Sequence, residues 1–274
     1  MSKNPNTFVS RPLSGLPLEA ELVAMREILP AATASAQLTE QHGGSEVRFA
    51  TILPELARSW RQADGVPVVA LQPPHGSDDV SQDLGNALLA ALEAEPGQPG
   101  RPEPLGSPGP RLQELLDLEA PTSFELHESF EYWTALDPDN EALADAAVQS
   151  AQELAPTQQV EGLEGAYWAQ YGTREYLRWS LGIEEDTLLD ALARLQAQQK
   201  AGVMPGAKYA GAFRALGLVI PVWDLPRGTT AQDLEKPGAE FFQRLKEALA
   251  VKGPLDSAAR RARAGLVARS LTLR

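Results

Sequence analysis

Apolar positions along this chain recur in short stretches whose period switches between helical and strand-like. In LEAELVAMREIL, residues 18–29, Leu22, Met25, Ile28 and Leu29 fall on one face at helical spacing and Pro30 ends the run, which predicts an amphipathic helix. ATASAQLT and SEVRFATIL flank the turn residues EQHGG as two strands. PELARSWR reads as a short helix and VPVVALQP as a buried strand. VSQDLGNALLAALEAE then places Leu84, Leu88 and Leu92 four residues apart on a further helix. At residues 95–110, EPGQPGRPEPLGSPGP has no apolar period and reads as an exposed Pro/Gly linker.

Beyond residue 110 the pattern resumes with a short helix in RLQELLD, a strand in SFELHESFEYW and a helix in NEALADAAVQSAQELA that stops before Pro156. GAYWAQYG and REYLRWSLG predict a hairpin turning at Gly172 and Thr173, and EEDTLLDALARLQAQQ predicts a helix. KYAGAFRAL and LVIPVWDL are strand-like. Thr229 or Thr230 caps the next helix, with Gln232 or Asp233 in the capping-box position, and Pro237 suits the first turn of a restarted helix. The expected fold is α+β, with mixed or antiparallel sheets covered by amphipathic helices. Its organisation is residues 1–94, the linker 95–110, residues 111–251 and a basic tail, 252–274. A weak echo between the halves, ILPAATASAQL beside ELAPTQQVEGL, leaves duplication and convergence both open.

Composition narrows the function. The chain has 274 residues, no cysteine and three histidines, which excludes thiol nucleophiles, disulfide frameworks and thiolate zinc sites and fits a cytoplasmic setting. The N-terminus holds no apolar leader and no stretch reaches the roughly 20 apolar residues that cross a bilayer, so no membrane partner is expected. A net charge of -13 makes nucleic acid a poor partner over most of the surface. The tail departs from this, with Lys252, Arg260, Arg261, Arg263, Arg269 and Arg274 against Asp256 alone. It either docks on the acidic body or meets an anionic partner such as RNA or a ribosome, through Arg260, Arg261, Arg263 and Arg269.

Candidate chemistry is sparse. No G-x-S-x-G elbow, P-loop, dinucleotide fingerprint or H-E-x-x-H helix is present. His75 precedes Asp78 and Asp79, but Ser77 or Asp78 as an N-cap accounts for that segment without chemistry. His42 sits in a turn. His127, beside Glu125 and Glu131 on one strand face, reads as a hydrated polar face rather than a ligand set, so neither metal nor cofactor is expected. Aromatics crowd residues 124–179. Strand alternation puts Tyr176 and Arg178 outward and Trp179 inward, giving Tyr167, Tyr176 and Arg178 as candidate ligand contacts. In GLVIPVWDLPRGTTAQDLEKPG, Trp223, Asp224 and Arg227 gather at a strand end, the usual address of a site, although a salt bridge closing the turn also fits.

The stretches RPLSGLP, LVAMREILPAATA, GPRLQELLD, the Tyr-Trp at 167 and 168, LRW at 177–179, LLDALARL, GAFRALGLVIPVWDLP, EKPGAEF and RRARAGL together resemble an uncharacterised actinobacterial family, a domain of unknown function. Longer members of that family carry an N-terminal SEC-C type zinc motif, which needs cysteines this chain lacks. The resemblance therefore implies neither zinc binding nor a translocase activity. It hints at a secretion, translation or quality-control setting. The expected function is binding of a protein or a small molecule. The alternatives are a small-molecule enzyme with its site around Trp223 and Asp224, and RNA or ribosome association through the tail.

Overall fold

Buried apolar side chains gather in both the N-terminal and the C-terminal part of the chain. A computed structural model describes residues 8–72 and 76–269, and the contacts divide them into two units, Met1–Leu154 and Ala155–Arg274. The chain is α+β, with one mixed and one antiparallel sheet.

The first unit runs α1 (Glu19–Glu27), β1 (Ala32–Gln37), β2 (Glu46–Ala50), β3 (Ser59–Arg61), β4 (Pro67–Ala70), α2 (Val80–Glu93), β5 (Gln98–Pro99), α3 (Leu112–Leu115), β6 (Ser123–Leu126) and α4 (Glu141–Ala151). Its six strands lie in the order β5-β3-β4-β2-β1-β6, and only β2 and β4 pair in parallel. α1 buries Leu22 and Met25, as its spacing predicts, but also Glu21, Val23 and Ala24, so more than one face is enclosed, and Ile28 and Leu29 are buried just past its end. α2 starts at Asp79 rather than at Ser77 or Asp78, because the Asp79 carboxylate accepts from the N–H groups of Ser81 and Gln82. A core of Trp60, Val68, Phe130, Trp133, Leu136 and Leu143 lies toward α4, with Phe130 and Trp133 stacked at 4.7 Å.

Two elements of this unit differ from their sequence reading. PELARSWR is a 3-10 turn, Pro54–Leu56, followed by β3, because Ser59, Trp60 and Arg61 each pair with a residue of β4. β6 ends at Leu126, short of the expected strand, since Phe130 and Trp133 leave the sheet on a 3-10 turn to enter the core. The segment expected as a linker lies inside the first unit. The Asn86 side chain donates to Ser107 O at 2.9 Å, the Gln82 side chain to Gly109 O at 2.8 Å, and β5 pairs with β3. Its prolines leave carbonyls for helix side chains to bind.

The second unit runs β7 (Thr157–Gln159), β8 (Ala166–Tyr171), β9 (Arg174–Trp179), α5 (Glu185–Ala197), β10 (Lys208–Ala215), β11 (Leu218–Asp224), α6 (Ala231–Ala250) and α7 (Ser257–Val267). All neighbours in the order β10-β11-β9-β8-β7 are antiparallel. The β8–β9 hairpin turns at Gly172, φ 60°, as its sequence predicts. One sheet face packs Trp179, Leu177 and Trp223 on Leu188, Leu192, Phe241 and Leu245 of α5 and α6. Thr230 and Asp233 close the capping box of α6. Pro237 sits inside that helix and does not restart it. The two sheets differ in order and direction, so the echo in the sequence is not a repeat of topology.

Candidate functional site

The residues singled out at the strand end have separate tasks. Trp223 is fully buried, donates its indole N–H to Ala201 O at 2.8 Å and meets the Phe241 ring edge-on at 5.2 Å. Asp224 and Arg227 form no salt bridge with each other. Each reaches the β8–β9 turn, Asp224 toward Arg174 at 3.9 Å and Arg227 by donating to Thr173 Oγ1 at 3.2 Å. The two residues that follow Arg227 are held as well, since buried Glu175 accepts from Gly228 N and Trp168 donates to Thr229 O. A strand becoming a helix explains the whole segment.

The sheet register brings four of the candidates onto the face opposite Trp223: Tyr167 lies opposite Arg178, and Tyr176 opposite Asp224. Arg178 does not point to solvent as alternation suggested. It is 2% exposed, donates to Tyr171 OH at 2.8 Å and Thr157 Oγ1 at 3.5 Å, and lies 5.4 Å from the Tyr171 ring. Burial lowers its pKa from the ordinary arginine value. Two-fold alternation identifies faces, and it fails here because both faces of this sheet are covered at that point.

The basic tail is divided. Arg263 bridges Asp186 and Asp190 on α5, the latter at 2.7 Å, which fastens α7 to its own unit. Arg260 and Arg261 are exposed, and among the described residues their side chains bond only the carbonyls of Leu255 and Ser257. Arg269 reaches β10, donating to Tyr209 O at 3.2 Å and accepting from Ala212 N at 3.1 Å through its own carbonyl.

Arg269 thereby stands at the rim of an open cleft of about 890 Å³. Three more elements build it: residues 199–207 between α5 and β10, the start of β10 with Lys208 and Tyr209, and the flank of α6 with Pro237, Glu240 and Arg244. Gln199 takes a left-handed turn, φ 58°, to end α5, and Gly206, φ 85°, turns the loop into β10. Lys200, Lys208, Arg244 and Arg269 all line the cleft, with Glu240 as the one carboxylate among its lining residues. Among the described residues none of these four cations has a carboxylate within 4.0 Å. Arg244 donates to Gly202 O at a long 3.4 Å and lies 5.6 Å from the Phe241 ring, while its buried Nε finds no acceptor. The buried Tyr209 hydroxyl is likewise without a partner, and burial pushes its pKa up to about 12, against the pull of Arg214 and Arg269.

Of this cleft the sequence reading named only Arg269. Lys200, Lys208, Tyr209 and Arg244 were missed because they come from a loop, a strand and a helix. The available signal was KAGVMPGAKY at 200–209, where lysines bracket a Gly/Pro loop. Other clefts include one of about 310 Å³ on the first sheet, where His127 accepts from or donates to Thr33 Oγ1 at 2.8 Å and Glu125 stands 3.9 Å away. Thr39 Oγ1 occupies His42 Nδ1 at 2.8 Å, and His75 lies outside the described residues.

Fold and site together define an α+β protein with a cationic cleft in its second unit. The chain belongs to a family of unknown function, DUF5926, which it matches over residues 12–274. No curated protein and no solved structure matches it. Among the described residues no helix is long and apolar enough to cross a membrane.

Proposed function

We propose that the chain is a binding protein whose second unit takes an anionic ligand in the cleft between Lys200, Lys208, Arg244 and Arg269. The observation that carries this reading is the convergence of four cations without neutralising carboxylates in a chain of net charge -13. Acidic groups elsewhere do pair with the available arginines, as Arg263 and Arg214 show. Cations left unneutralised in a concave, partly desolvated site raise the local concentration of anions and hold them more strongly than exposed ones do. A cytoplasmic setting belongs to the same reading, the sequence offering no cysteine for an oxidising compartment to pair.

A thermal-shift series tests it. Pyrophosphate and citrate at low salt should raise the melting temperature of the full chain, and glucose should not, because a ligand bound only to the folded state stabilises it. The shift should shrink at high salt and in Arg244→Gln. Equal melting temperatures in all three solutions would sink the proposal.

A further inference from the structure

We infer that the ligand of this cleft is a small organic phosphate, a phosphorylated group joined to an apolar or planar remainder; this rests on the anion-binding reading above. Three features distinguish that class from anions in general. The first is the backbone of the loop at residues 201–207. Only Ala207 spends its N–H inside the chain, on Met204 O at 3.1 Å, so the N–H groups of Gly202, Val203, Met204 and Gly206 have no acceptor among the described residues. A run of free amides beside glycines is the kind of concavity that receives the several oxygens of a phosphate.

The second feature is the pair of arginines. A guanidinium fork matches two phosphate oxygens at once, and Arg244 on α6 and Arg269 after α7 both line the one cleft. Tyr209 also lines the cleft, and its buried hydroxyl and the buried Arg244 Nε have no partner among the described residues.

The third is the remainder of the lining. Met204, Pro205, Ala207 and Pro237 supply apolar surface, and inorganic phosphate would leave it unused. Small-molecule sites occupy roughly 300–1,000 Å³, which brackets this cleft. A nucleic-acid polymer is disfavoured, because a concave site admits one unit of it while the remaining chain meets a surface of net charge -13.

Calorimetry on the full chain at low salt tests the assignment with four probes: adenosine diphosphate, pyrophosphate, citrate and a single-stranded RNA 20-mer. The expected order is adenosine diphosphate at least tenfold tighter than pyrophosphate, and pyrophosphate at least tenfold tighter than citrate. Arg244→Gln should weaken adenosine diphosphate at least tenfold and Tyr209→Phe less. Lys208→Gln, at an exposed position, serves the same purpose should Arg244→Gln fail to fold. In an amide NMR spectrum, Gly202, Val203, Met204 and Gly206 should shift first on titration. Citrate equal to pyrophosphate would remove the phosphate assignment and leave the anion-binding reading standing. Pyrophosphate equal to adenosine diphosphate would remove the apolar remainder. RNA tighter than adenosine diphosphate, and blocked by Arg244→Gln, would overturn the small-molecule class. Silence from all four probes would end both readings.

Discussion

Gly85 lies inside α2, where alanine is the better helix former by about 1 kcal/mol, yet a Cβ there would stand 2.1 Å from Pro110 O. The contact is with backbone that cannot swing aside, so the clash decides the sign. Gly85→Ala should lower the melting temperature, and a thermal melt checks it. Tyr132 makes a second residue-scale case. Burial raises its pKa from 10.0 to about 12, against the hydrogen bonds to Thr51 and Ile52. A raised phenol pKa means the folded state favours the neutral form. That stability is complete below pH 10 and is lost as the pH climbs toward 12, and Tyr209 adds to the same window. Tyr132→Phe should flatten the alkaline limb of a stability-against-pH curve; an unchanged slope would refute the assignment. Arg178 shows the limit of reading at this scale. The sequence identifies its strand, but its facing partner, Tyr167, comes from the sheet register and its burial from what covers the sheet.

At the scale of elements, the parts read correctly are those whose signal is local. The hairpin at Gly172, the capping box of Thr230 and Asp233, and the burial of Leu22 and Met25 on α1 each follow from residues a few positions apart. PELARSWR was misread because Trp60 belongs to β3 by virtue of β4, a partner that helical spacing cannot register. Pro237 was misread for a related reason. Its helix is held by buried Leu234, Phe241 and Leu245 on either side, which tolerates a missing hydrogen bond worth far less than that packing. Pro237→Ala should therefore stabilise the protein, by about 1–3 kcal/mol in a denaturant titration. Arg263→Ala should act the other way and mildly. Its partner Asp186 is exposed and Asp190 partly so, so the loss is about 0.5–1 kcal/mol. Faster amide exchange confined to α7 is the expected signature.

At the scale of the molecule, each unit has its own sheet and its own core, which predicts that Ala155–Arg274 expressed alone melts cooperatively; a broad, featureless melt would contradict it. The candidate site is legible only at this scale. Lys200, Tyr209, Arg244 and Arg269 share no sequence motif, and chain folding alone gathers them. The contact of Arg269 with β10 has one more consequence. β10 is a terminal strand of its sheet, and an unguarded outer ladder is a template for self-association. The Arg269 carbonyl occupies the Ala212 N–H there, and the strand is already bulged between Tyr209 and Gly211. The C-terminal segment thus covers one position of that outer ladder, and a chain ending before Arg269, which keeps α7, should scatter light in proportion to its concentration where the full chain stays clear.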